Sequence, residues 1–244
     1  MNTSAFANLL RSELLKLRTN PATWGLAAVI VLFTALNTSL SLSDPLTKIT
    51  TDAGVRHIFT AGRDFAVLFI ALGAIGAAGE FRHQTAVPTF LATPARPGVL
   101  AAKALAHAYA GLLIALACVA VQMALALPWL SSSGHTVEPW DAAVAEPAIT
   151  AVLAGLAYTA LGVALGSLLR NQVVALAVAF GWFAVVENAL AAFTPGISRF
   201  LPGGVFSGTD QTDAIASPAA VALLAAYALA LCAVAGRTTL RRDV

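Results

Sequence analysis

A cluster of ionisable side chains follows directly on an apolar run: Glu80, Arg82 and His83, with Phe81 among them. A carboxylate, a guanidinium and an imidazole at the end of an apolar segment suit ion pairing with a neighbouring surface. Glu187 is the one carboxylate inside an apolar run, and an ionisable group there is costly enough to be a functional candidate. It lies 17 residues beyond Arg170, about 25 Å along a helix. That depth is close to a membrane face, so an interfacial or structural place competes with a role in substrate or cation passage. Asn37, Gln122, Tyr158 and Asn188 stand out among the other polar groups in apolar runs. Asn37, Gln122, Glu187 and Asn188 are the candidates to line a pathway, and none pairs with an acid or base to form a proton relay.

Other chemistries find little footing. Cys118 and Cys232 lie in apolar runs with no CxxC or Cys/His cluster, which supports neither a disulfide framework nor a zinc site. There is no GxxxxGK[ST], HExxH, GxSxG or EF-hand pattern. His57, His83, His107 and His135 fall in or beside predicted loops and divide between two sides. Gly73, Gly76 and Gly79 are spaced by three within an apolar run and suit a small-residue face against another helix. Gly162 and Gly166 form a GxxxG, which fits either helix packing within the chain or dimerisation.

The elements that must position these groups are membrane helices. Apolar residues make up 59% of the chain and charged ones 11%, against about 25% charge in soluble domains, and the mean hydropathy is +0.81. A soluble core of this size could not hide so much apolar surface. The expected fold is all-α and integral to the membrane, one domain over 1–244. Residues 1–20 read as an amphipathic interfacial helix, with Phe6, Leu10, Leu14 and Leu17 on one stripe and Arg11, Ser12 and Arg18 away from it. Glu13 and Lys16 blur its edge, and Asn20-Pro21 breaks it. Arg11, Lys16 and Arg18 precede an apolar run too long for a signal peptide. Six spans follow, about 22–40, 60–79, 104–127, 147–169, 172–193 and 218–236. Only Arg170 and Asn171 separate the fourth from the fifth, which predicts a tight helical hairpin.

Ten of the fourteen basic residues fall on the side of the N-terminus: Arg11, Lys16, Arg18, Arg82, Arg96, Lys103, Arg170, Arg237, Arg241 and Arg242. Lys48, Arg56, Arg63 and Arg199 fall on the other. The positive-inside rule then places both termini in the cytoplasm. The outer connections 41–63 and 131–146 read as moderately polar loops. The segment 194–217 mixes Pro195, Gly196, Pro202, Gly203, Gly204 and Gly208 with Ile197, Phe200, Leu201, Val205 and Phe206. That mixture favours a re-entrant segment over a plain loop.

The stretch 79–103 is the largest polar interruption on the cytoplasmic side. After Glu80-Phe81-Arg82-His83 it carries Thr85, Val87, Phe90 and Leu91, broken by Pro88, then Pro94 and Pro97. That piece is too short to span, and a surface helix there would present side chains to a cytoplasmic partner.

With RSELLKLRT near the start, GEFRHQT and LATPARPGVLAAK after the second span, and GRTTLRRDV at the end, the chain resembles the ABC-2 type transporter permeases, of the small six-span kind found in actinobacterial exporters of drugs and natural products. The likeness covers the whole chain in topology and about forty residues in motif. It implies a coupling helix after the second span, seated in a separate ATP-binding subunit, with Glu80, Phe81, Arg82, His83, Thr85 and Phe90 in the contact. It implies that the N-terminal helix, through Arg11, Glu13, Lys16 and Arg18, touches the same subunit, and that a re-entrant segment precedes the sixth span. It further implies a plasma-membrane efflux permease that binds no cofactor, with ATP and magnesium in the partner, and a second permease copy completing a homodimer or heterodimer in the lipid bilayer. The outer loops are too small for the large extracellular domain of macrolide or lipoprotein exporters.

Two other classes compete. A membrane enzyme acting on lipid or peptide would need gathered catalytic groups that the histidine placement does not provide. A non-transporting scaffold or sensor accessory would use the same docking segment. Nothing in the charge pattern favours nucleic acid.

Overall fold

The sequence begins to fold where its breakers say it should. Asn20 takes extended backbone, its side-chain oxygen accepts the Ala22 N–H at 3.0 Å, and Pro21 starts the next helix. In the computed structural model, residues 3–44, 51–60, 66–82, 96–194, 196–203 and 217–241 are described. Within them the helices are α1 (Thr3–Thr19), α2 (Pro21–Ser43), α3 (Asp52–Thr60), α4 (Ala66–Arg82), α5 (Arg96–Ser132), α6 (Ala142–Leu169), α7 (Gln172–Phe193) and α8 (Ser217–Arg241). A 3₁₀ turn spans Ser198–Phe200, and no strand occurs among the described residues.

Five helices are long and apolar enough to cross a membrane: Pro21–Ser43, Pro97–Ser132, Ala142–Leu169, Gln172–Phe193 and Pro218–Thr238. The chain is a multi-pass membrane protein. Helix α4, of 17 residues, is equally apolar but shorter, about 26 Å at 1.5 Å per residue. It lies in the interior, with Phe69, Ile70, Leu72, Ala74, Ala77 and Ala78 all buried. Leu32 of α2 and Leu229 of α8 are 66% and 71% exposed in the isolated chain, as helices facing lipid require.

Helix α6 is the centre. It packs on α4, α5 and α8 along most of its length. Glycine makes this closeness possible. A Cβ at Gly73 would lie 2.0 Å from the Thr159 carbonyl oxygen, one at Gly162 2.0 Å from that of Ile70, and one at Gly166 2.7 Å from that of Ala74. The Gly162/Gly166 pair and Gly73 therefore join α6 to α4 within the chain. Gly76 also meets a neighbour, His107, whereas a Cβ at Gly79 would meet nothing within 4 Å.

Several expected boundaries move. The helix expected as a third span from residue 104 begins at Arg96, so Arg96 to Lys103 form the first turns of α5. Pro128 does not end that helix and Pro147 does not begin α6; each lies inside its helix. Each removes one N–H, which membrane helices tolerate where neighbours satisfy the freed carbonyl. Thr60, expected in the second span, belongs to α3. The connection 41–63, read as a loop, holds the end of α2 and all of α3. Val55, Ile58 and Phe59 recur at helical spacing and are buried with Leu42, Ala126, Leu130 and Val144. Arg56 of α3 pairs with Glu146 of α6 at 2.5 Å.

The tight connection between α6 and α7 forms as the sequence indicated. Arg170 adopts the left-handed conformation (φ 52°) and its N–H bonds the Gly166 carbonyl at 2.9 Å. Asn171 then accepts the N–H groups of Val173 and Val174 at 3.0 and 3.2 Å.

Candidate functional site

Helix α1 carries its apolar stripe with a carboxylate set into the buried face. Glu13 is only 1% exposed, and its neighbour one turn on, Leu17, is also buried. Leu15 points away and is 61% exposed. The inward face thus runs through Glu13, which the apolar spacing had put at the edge.

A buried carboxylate must be paired, and Glu13 is paired twice. Lys103, from the first turns of α5, donates to its Oε2 at 2.6 Å. Lys16 donates to its Oε1 at 2.5 Å. The same two ammonium groups reach Glu80 near the end of α4: Lys103 Nζ lies 2.8 Å and Lys16 Nζ 2.7 Å from Glu80 Oε1. Two lysines and two glutamates from three helices therefore form one closed set of ion pairs. Burial pushes the Glu13 carboxyl up, but the Lys103 and Lys16 ammonium groups outweigh it and hold the carboxyl below its ordinary range. Burial pulls Lys16 down, and its bonds to Glu13 and Glu80 more than offset that, leaving it above its ordinary range.

The next residues extend this joint to the α6–α7 turn. The Arg170 guanidinium stacks over the Phe81 ring, 5.3 Å from its centroid. Arg82 donates to Gln172 Oε1 at 3.4 Å. Of the predicted docking residues, Glu80 and Phe81 are thus turned into the protein, while Arg82 is exposed. His83, Thr85 and Phe90 lie outside the described residues. Arg11 and Arg18 are exposed on α1.

His107 corrects an expectation. It sits well inside α5 rather than beside a loop, and it is buried. Its Nδ1 donates to the Lys103 carbonyl, 2.9 Å away, one turn back. In the neutral ring that leaves Nε2 as the acceptor, and Nε2 faces Gly76, where a Cβ would lie 1.8 Å from it. His107 is the member of this site that motif reading missed, and Lys103, which closes the LATPARPGVLAAK motif, was not singled out for a contact. Their four-residue spacing puts both on one helix face. Glu13, Lys16, Glu80, Lys103, His107, Arg82 and Gln172 all line a crevice of about 520 Å³ between α1, α4, α5 and the start of α7.

The four candidate pathway residues do not meet. Gln122 is buried beside a cavity of about 30 Å³ that Thr34, Cys118 and Tyr158 also line. Asn37 is half-buried one turn along α2 from Thr34. Glu187 and Asn188 serve the far end of α7, where residues Trp182–Val186 form a π-turn. Asn188 donates to the Phe183 and Ala184 carbonyls at 3.2 and 3.0 Å. Glu187 Oε1 accepts Trp182 Nε1 at 2.6 Å and the Gly203 N–H at 2.9 Å. Glu187 thus holds the 196–203 segment in place. Tyr158 of α6 donates to the Pro202 carbonyl at 2.5 Å, and Tyr227 of α8 to that of Phe200 at 2.8 Å.

No family model matches this sequence, and no curated protein is significantly similar to it.

Proposed function

We propose that the chain is the transmembrane permease of an ATP-driven ABC exporter, with a separate ATPase subunit docking at the α1 end. In this reading α4 is the second of six spans, both termini are cytoplasmic, and the membrane is the plasma membrane. One observation carries the proposal. The joint of Glu13, Lys16, Glu80 and Lys103 ties α1, α4 and α5 together at the threshold of residues 83–95. Phe81 and Arg82 link the same point to the α6–α7 turn. A displacement of the segment between Arg82 and Arg96 would therefore act on every helix that meets there. The sequence has no phosphate-binding loop of its own, so the energy would come from another chain.

The docking contact falls on His83, Thr85 and Phe90, with Arg82, Arg11 and Arg18 at its edge. We read residues 196–203 as part of a re-entrant segment, which the bonds from Tyr158 and Tyr227 to their carbonyls favour; the rest of the expected segment, 204–216, lies outside the described residues. A second permease copy completes the pathway, and walls rich in Ala, Leu, Val and Phe suit a hydrophobic or amphipathic cargo, whether small molecule, peptide or lipid.

Co-expression with a candidate ATP-binding-cassette subunit tests the reading. The wild-type chain should co-purify with it and stimulate its hydrolysis. Phe90→Ala should lose capture while inserting normally. Equal capture and stimulation by the Phe90→Ala chain would remove the docking role. Glu80→Ala is the wrong probe, because it opens the internal joint.

A further inference from the structure

We propose that the crevice beside this joint binds the headgroup of an anionic phospholipid from the leaflet on the α1 side. The first ground is charge. Among the described residues, the titratable and charged groups facing the crevice are Lys16, Arg82 and Lys103 against Glu13 and Glu80, with the His107 imidazole behind them. Three fixed cations among these described groups meet two carboxylates, which leaves one positive charge over. It falls on Arg82: Lys16 and Lys103 are both bound to Glu13 and Glu80, whereas Arg82 makes only the long bond to Gln172 and no ion pair among the described residues. A guanidinium has five donors in a fork that matches a phosphate.

The second ground is depth. Asn20 and Ala22, at the α1–α2 junction, line the crevice. Trp24, one turn into α2, is 61% exposed and donates its indole N–H to the Arg18 carbonyl at 2.8 Å. An exposed tryptophan so anchored marks the headgroup level. The third ground is shape. The crevice combines polar walls with apolar Leu17, Ile75 and Ala22, and its volume of about 520 Å³ falls in the range of small-ligand sites, about 300–1,000 Å³. Basic pockets between helices at a membrane face take lipid headgroups for these reasons. A phosphodiester at Arg82 and Lys16, with its glycerol against Leu17 and Ile75, neutralises the excess charge without disturbing the buried pairs. The inference concerns the permease chain alone and does not rest on ATPase docking.

Native mass spectrometry of the purified chain in detergent tests it, with dioleoylphosphatidylglycerol, dioleoylphosphatidylcholine and inorganic phosphate as probes. Phosphatidylglycerol should bind in preference to phosphatidylcholine. Arg82→Gln should weaken it about fivefold, the effect of one basic residue at a membrane surface. Arg82→Lys, which keeps the charge but not the fork, should bind more tightly than Arg82→Gln and less tightly than wild type, which separates charge from misfolding. Arg237→Gln, an exposed cation near the end of α8, is the control and should change nothing. The proposal falls if Arg82→Gln binds as wild type, if Arg237→Gln loses as much, or if phosphatidylcholine binds equally well. It also falls if inorganic phosphate competes at the affinity of the lipid, which would make the ligand a free anion. Loss of ATPase capture by Arg82→Gln with lipid binding intact would assign the residue to the protein partner and overturn the lipid site.

Discussion

Glu13 is the residue on which the α1 end turns. With a side chain almost wholly out of solvent and two ammonium groups within 2.6 Å, it is the least replaceable charge described. Breaking a buried pair by removing one partner costs about 3–5 kcal/mol. Lys103 keeps Glu80 when Glu13 is lost, so Glu13→Ala should cost about 3 kcal/mol, read as a lowered unfolding midpoint. Lys16 is 45% exposed, and its pairs count for less, about 1 kcal/mol or under. The pH dependence follows from the directions of titration. The Glu13 carboxyl is held below its unfolded value of about 4.3, so its contribution is complete above that pH and is lost as acid takes the pH down through the folded value. Lys16 is held above its unfolded value of about 10.4, so its contribution is complete below that and lost in strong alkali. Thermal midpoints should be flat across neutral pH and fall at the acid end. In Glu13→Gln the acid fall should be smaller, and an unchanged acid limb in that variant would contradict this account. The sequence showed only that Glu13 blurs the edge of an apolar stripe. It could not show that Glu13 faces inward and is met by Lys103, because that pairing spans 90 residues and depends on how α5 approaches α1.

At the scale of elements, helix existence was legible and helix ends were not. Hydropathy and the Asn20-Pro21 and Arg170-Asn171 breaks located the apolar helices, but α5 begins at Arg96 rather than residue 104 and runs to Ser132 rather than 127. Pro128 and Pro147 misled because a membrane helix keeps going through a proline that would stop a soluble one. Helix α3 was hidden because its large apolar residues are only three, Val55, Ile58 and Phe59, and their value lies in what they cover. The Gly162/Gly166 pair was visible but ambiguous; only the position of α4 shows which helix it meets. That contact gives a paired prediction. Gly162→Ala puts a methyl 2.0 Å from the Ile70 carbonyl oxygen and should cost about 1–3 kcal/mol through forced separation. Gly181→Ala, with nothing within 4 Å and ordinary helical backbone, should gain about 0.5–1 kcal/mol. Chemical unfolding in detergent measures both, and equal midpoints would argue against the close approach.

For the whole molecule, the two ends differ in kind. The α1 end is closed by ion pairs among α1, α4 and α5. The other end is closed by the apolar contacts of α3 and by carbonyl bonds from Tyr158 and Tyr227. With both cysteines replaced by serine, Ser4→Cys and Ser133→Cys should label from opposite faces. An impermeant maleimide added to intact cells should modify Ser133→Cys and spare Ser4→Cys until the membrane is opened. Labelling of both from outside would invert or break the proposed topology. The charge asymmetry was readable in the sequence because it needs only a count. The convergence of α1, Glu80 and the α6–α7 turn at one point was not, because it is a property of packing.

The seam between α4 and α6 carries a genetic consequence. At Gly73, Gly162 and Gly166 the opposing atoms belong to the main chain: the oxygens of Thr159, Ile70 and Ala74. A bulky replacement there has no side chain across from it that could be trimmed in compensation. A selection for revertants of Gly162→Leu should therefore return the original codon or a smaller residue at that same position, and no suppressor among the facing residues of the partner helix.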